Sequence, residues 1–123
     1  MWPFKKKQIT INNQYGVFEY DGIESWNLKG NRFPMSIFGN IDGPNEILCS
    51  KIPSIIIEIE NHVNKCKEWL NKNINIDKWS IYMLILDPGY DGNIVIEMSS
   101  DDANNIFGFI VINNEIVYSY TDD

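Results

Sequence analysis

The chain has 123 residues, 44% of them hydrophobic and 13% aromatic, with a formal net charge of −7. That length fits one domain with one core, residues 1–123, and the composition excludes a disordered chain. No apolar run approaches the roughly 20 residues of a membrane-spanning helix, and an acidic balance disfavours nucleic acid as a partner, because phosphates need cations.

At the start, MWPFKKK places its lysines after the aromatic residues, the reverse of a secretory signal, and no apolar signal-length run follows. Residues 1–7 are expected to be a frayed basic terminus, too short an element for stable membrane association. The expectation is a soluble, cytoplasmic protein. Cys49 and Cys66 form no CxxC pair and are expected to be free, packed thiols.

Ile9 and Ile11 alternate as on a short strand. Asn12-Asn13-Gln14 then turns the chain into Tyr15–Tyr20, which reads as a hairpin. Residues 21–31 are rich in turn formers and read as a loop. Phe33, Met35 and Ile37 alternate again, with Pro34 marking an edge or a strand start. After GNIDGPN comes the main helix, with Ser50 as its expected cap and Pro53 in its first turn. Ile52, Ile55, Ile59, Val63, Cys66 and Leu70 recur every three or four residues, so one face is apolar. The β-branched run Ile55-Ile56-Ile57 is read as helix because the stripe continues to Leu70.

Residues 79–86, WSIYMLIL, are apolar at nearly every position, as in a central strand or one covered on both faces. Residues 93–99 alternate with Ile94, Ile96 and Met98 inward, and 106–112 form another central candidate. Asn113-Asn114 is a two-residue turn into a last strand toward Tyr120. The expected fold is α+β: a mostly antiparallel sheet of about six to seven strands, with one main helix packed on one face.

The linker DPGYDGN, residues 87–93, superficially resembles a calcium loop. Counted from Asp87, position three is Gly89 and position twelve is Met98, so two ligand positions fail and no helices flank it. It reads as a hairpin connection, with a positive φ expected at Gly89.

Catalytic chemistry is not signalled. No P-loop, GxGxxG, HExxH or GxSxG occurs, and no cofactor is implied. Glu58, His62 and Cys66 lie four residues apart and share a helical side, so a metal site or a Cys–His pair is geometrically conceivable. The competing reading is a flanking histidine beside a buried cysteine.

Charge distribution is the one functional hint. Residues 1–78 hold all ten Lys and Arg and nine acids, whereas residues 79–123 hold eight acids and no base. These acids are Asp87, Asp91, Glu97, Asp101, Asp102, Glu115, Asp122 and Asp123. Tyr90, Tyr118 and Tyr120 are interleaved with them, and Tyr118 and Tyr120 are expected to share a strand face. Acid plus tyrosine is an interface composition for a basic protein partner. The candidate partner-binding set is Asp87, Tyr90, Asp91, Glu97, Asp101, Asp102, Glu115, Tyr118, Tyr120 and Asp122. A homo-oligomer paired edge to edge through the last strand is the structural alternative.

FPMSIFGNIDGP, a helix ending near KEWLNKN, then WSIYMLILDPGYDGNIVIEM and GFIVINNEIVYSY resemble, over about residues 33 to 120, small bacterial single-domain proteins of unknown function. Some proteins of that layout are immunity proteins encoded beside polymorphic toxins. The resemblance implies a fold layout and a role as an antitoxin-like inhibitor that binds a toxin. It assigns no functional residue.

Overall fold

The structure is a computed structural model and describes residues 9–30, 32–90 and 93–122, with only the backbone of Tyr90. Expectations for the basic terminus, Asp91 and Asp123 fall outside the described residues. Strands β1 (Thr10–Asn13), β2 (Gly16–Tyr20), β3 (Ser25–Lys29), β4 (Met35–Asn40) and β5 (Gly43–Pro44) come first. Helices α1 (Glu46–Cys49) and α2 (Ile52–Ile74) follow, then β6 (Ser80–Leu86), a 3₁₀ turn at Pro88–Tyr90, β7 (Ile94–Ser99), β8 (Ile106–Ile112) and β9 (Glu115–Asp122).

The strands form one nine-stranded sheet in the order β1-β2-β3-β4-β6-β7-β8-β9, with β5 paired to β4. This corrects the expectation of six to seven mostly antiparallel strands: the sheet is larger, and it is mixed. β4 and β6 run parallel, with Met35, Ser36 and Ile37 opposite Leu84, Ile85 and Leu86. The cause is the connection. Parallel neighbours need a crossover, and α2, at 23 residues, spans about 34 Å and carries the chain back before β6 begins.

The two strands not expected are β5, a two-residue pairing with β4 inside GNIDGPN, and β3, which lies inside the segment read as a loop. The Asp21 carboxylate accepts the N–H groups of Ile23, Glu24 and Ser25 at 2.7, 3.1 and 3.1 Å and turns the chain into it. Burial acts to raise the Asp21 pKa, and these N–H groups outweigh it and hold the carboxyl below its ordinary value. Trp26 and Leu28 then alternate inward. Two such residues are too few for a periodic signal. The other turns follow their sequence cues. Asn113 and Asn114 adopt left-handed φ values of 51° and 64° between β8 and β9. Gly89 is not among the positive-φ glycines; instead Asp87 accepts its N–H at 2.7 Å and closes a 3₁₀ turn.

Ser50 does not cap α2. It ends α1, where Asn45 is the cap and accepts the Leu48 N–H at 3.0 Å. Lys51 stands at the α2 cap position without a side-chain hydrogen bond, and a left-handed Asn75 ends the helix. Of the expected stripe, Ile52, Ile59, Cys66 and Leu70 are buried, and Ile55 and Val63 are half-buried.

Directly paired residues point to the same side of a sheet. The registers therefore run one inward row across eight strands: Ile11, Phe18, Leu28, Met35, Leu84, Ile96, Phe109 and Tyr118. The six from Phe18 to Phe109 belong to the same core cluster as the buried side of α2. Trp26, fully buried, donates its indole N–H to the Asn40 carbonyl at 2.8 Å and stacks on Tyr20. Cys49 and Cys66 are free and buried, and burial pushes their thiols up to about 11 and about 12, Glu46 adding to the first. Neither is an activated nucleophile.

Candidate docking surface

The row on the opposite side of the sheet changes character halfway. It runs Thr10, Glu19, Asn27 and Ser36 across β1 to β4, then Ile85, Val95, Ile110 and Val117 across β6 to β9. Among the described residues no helix covers this outer side, since α2 packs on the other. Val95 is nonetheless fully buried, Ile85 and Ile110 are half-buried, and Val117 is 47% exposed. The centre of the row is therefore closed to solvent, and its margin at β9 stays open.

A second outer row passes through Met83, Glu97, Gly108 and Tyr120. The Tyr120 hydroxyl donates to Glu97 across Gly108 at 2.6 Å. A side chain at residue 108 would occupy the space of the Tyr120 ring, so the missing Cβ lets that ring lie flat on the sheet. Tyr118 and Tyr120 do not share a face, contrary to expectation. Phe109 pairs with Tyr118 and Gly108 with Tyr120, which leaves Ser119 as an extra residue in a bulge that reverses the alternation. Tyr118 stacks on Trp69 of α2, centroids 4.7 Å apart and planes at 11°, and its hydroxyl contacts Thr121.

The acids divide among three places. Glu97 lies in the middle of the outer face, and Glu115, opposite Ile112, shares the parity of that face at one end of the strands. Asp87 lies at the same end, holding the Gly89 N–H. Asp101 and Asp102 occupy the β7–β8 turn at the opposite end, where Asp122 ends β9. Both ends meet a lysine from the first part of the chain. Lys65 donates to the Asn114 carbonyl at 2.9 Å beside Glu115, and Lys78 borders the same cleft as Asp101 and Asp102. The ion pairs among the described residues are Lys29–Glu19 and Arg32–Glu60, and neither involves the last 45 residues.

The alternative set does not converge. Among the described residues, no group of three or more His, Cys, Asp or Glu side chains is placed to hold a metal ion. Glu58 is exposed, Cys66 is fully buried, and His62 is buried rather than flanking, 6% exposed, with Nδ1 unpartnered. Burial lowers the His62 pKa, Lys65 adds to this, and Glu58 opposes it. His62 lines a cleft of about 290 Å³ with Lys51, Ser54, Glu58, Asn93 and Asn114. Its mixed charges present no nucleophile with an adjacent base.

The residues missed from sequence are Ile85, Val95, Ile110 and Val117. Their signal was present: β6, β7 and β8 are apolar on both sides, yet one helix covers only one side of a sheet. Among the described residues, no helix is long and apolar enough to cross a membrane. Comparison with protein-family models, with characterised proteins and with solved structures finds no match to this chain.

Proposed function

We propose that the protein is a non-catalytic binding protein whose outer β6–β9 face docks a basic protein partner. One observation carries this reading: an apolar row of Ile85, Val95, Ile110 and Val117 runs beside Glu97, Tyr120 and Glu115 on a sheet side that, among the described residues, has no helix. Apolar and tyrosine side chains set beside carboxylates are an interface composition. Residues 79–123 supply acids and no base to this half, and these acids outnumber Lys65 and Lys78, which reach its two ends, so the balance favours a cationic partner over an acidic one. In its narrowest form the proposal is an immunity protein, an antitoxin-like inhibitor that covers the basic surface of a toxin.

The test uses the full chain as bait, identifies the bound protein, and measures association at 0.05 M and 0.5 M salt. The Debye length falls severalfold over that range, so association with the wild type should slow by at least about tenfold. Reversing Glu97, Asp101, Asp102 and Glu115 to lysine should remove most of that salt dependence. A partner whose association ignores both salt and charge reversal would overturn the proposal. Metal-dependent turnover abolished by His62→Ala would favour the catalytic alternative instead.

A further inference from the structure

The two edges of the sheet are unlike. β1 is four residues long and polar, TINN. β9 is eight residues long, the longest strand, and its interior Ile116–Thr121 contains no charge and no proline. Natural edges are blunted by short length, lysine, proline or bulges. β9 has only the bulge at Ser119. Among the described residues no strand pairs with its free side. Val117 on the outer side and Tyr118 on the helix side are 47% and 40% exposed, so apolar surface flanks the open backbone on both faces.

Charge decides what fits this edge. A second copy placed β9 against β9 would bring together two segments, residues 79–123 of each copy, with eight acids and no base apiece, which Lys65 and Lys78 offset only at the ends. Glu115 at one end of β9, and Asp101, Asp102 and Asp122 at the other, would face their like. An extended segment with a cation near each end meets Glu115, beside Lys65, at one end and the more acidic group of Asp101, Asp102 and Asp122, with Lys78, at the other. Glu115 and Asp122 are seven residues apart, about 24 Å along a strand.

We propose that β9 accepts an extended, lysine- or arginine-bearing segment of a partner protein as an added strand of the sheet. The inference rests on the docking reading above and specifies its geometry. Main-chain hydrogen bonds along β9 supply affinity, and alternate side chains of the segment lie against Val117 on one side and the Tyr118–Trp69 stack on the other.

The experiment titrates the full, isotope-labelled chain with three synthetic eight-residue peptides and follows backbone amides by NMR. One alternates valine and threonine with a lysine at each end, the second ends in glutamates, and the third is the lysine peptide N-methylated along both edges. The first should shift and protect the β9 amides. The second should bind about tenfold more weakly, the effect of two surface charge pairs, and the third should not bind. Equal binding by the first and third, with shifts confined to Ile85, Val95 and Ile110, would overturn edge addition and leave face docking standing. Equal binding by the first and second would overturn the charge argument. No binding by the lysine peptide, or a peptide-free dimer with protected β9 amides, would overturn the inference outright. Failure of the docking reading has a different signature: a captured partner indifferent to salt.

Discussion

The two halves of the sheet share one inner face and have opposite outer faces. Across the inside, β1–β4 and β6–β9 contribute one apolar row to the core beneath α2. Across the outside, the first half places Thr10, Glu19, Asn27 and Ser36 where the second places Ile85, Val95, Ile110 and Val117. The first pattern is that of an antiparallel sheet wetted on one side, polar outward and apolar inward. The second is that of a sheet with apolar residues on both sides. The switch falls at the parallel β4–β6 pair, where α2 crosses over. Core formation accounts for the inner row in both halves; the outer row of the second half, closed at Val95 and open at Val117, is the feature on which the docking proposal rests.

The largest effects should be common to both halves. Phe18→Ala and Phe109→Ala, both fully buried on the inner side, should each cost about 3–5 kcal/mol in urea unfolding. A loss confined to one half would mean the core is not shared. The outer side should then separate them. Val95→Ala removes buried carbon and should cost about 1.5 kcal/mol, whereas Ser36→Ala, in the same row, should stay within about 0.5 kcal/mol. Equal costs would erase the contrast.

Tyr120→Phe probes the acidic half alone. It removes the hydroxyl that donates to Glu97 and should lower stability by about 1–2 kcal/mol, a loss absent in a variant that already contains Glu97→Ala. The smallest effect concerns pH. Because the folded-state pKa of His62 lies below the ordinary value, the unfolded chain takes up the proton first. The neutral histidine's contribution is present above about pH 6.5 and is lost as pH falls toward the folded-state pKa. Melting temperature should therefore fall more steeply between pH 7 and pH 5 in the wild type than in His62→Leu. Parallel profiles would show that His62 is not held neutral.

Local chemistry made much of this architecture legible. The spacing from Ile52 to Leu70 forms the helix, the alternation of Ile94, Ile96 and Met98 forms β7, and Asn113-Asn114 adopts the left-handed turn, since each depends on neighbours a few residues away. β3 was hidden because its five residues bury only Trp26 and Leu28. The facing of Tyr118 and Tyr120 was unreadable because a bulge is a property of two paired strands, not of one. The charge imbalance of the last 45 residues was plain in the sequence, but the approach of Lys65 to one end and Lys78 to the other depends on folding.

The sequence by itself determined the elements other than β3, β5 and α1, the inward residues of most of them, and the acidic composition of the second half, because propensity, period and composition are local. Only the tertiary structure decided that β4 and β6 run parallel, that the outer row turns apolar beyond them, and that β9 is left as a long open edge. Those features arise from pairing between segments distant along the chain, whose register is set by long-range burial rather than by any residue's own preference.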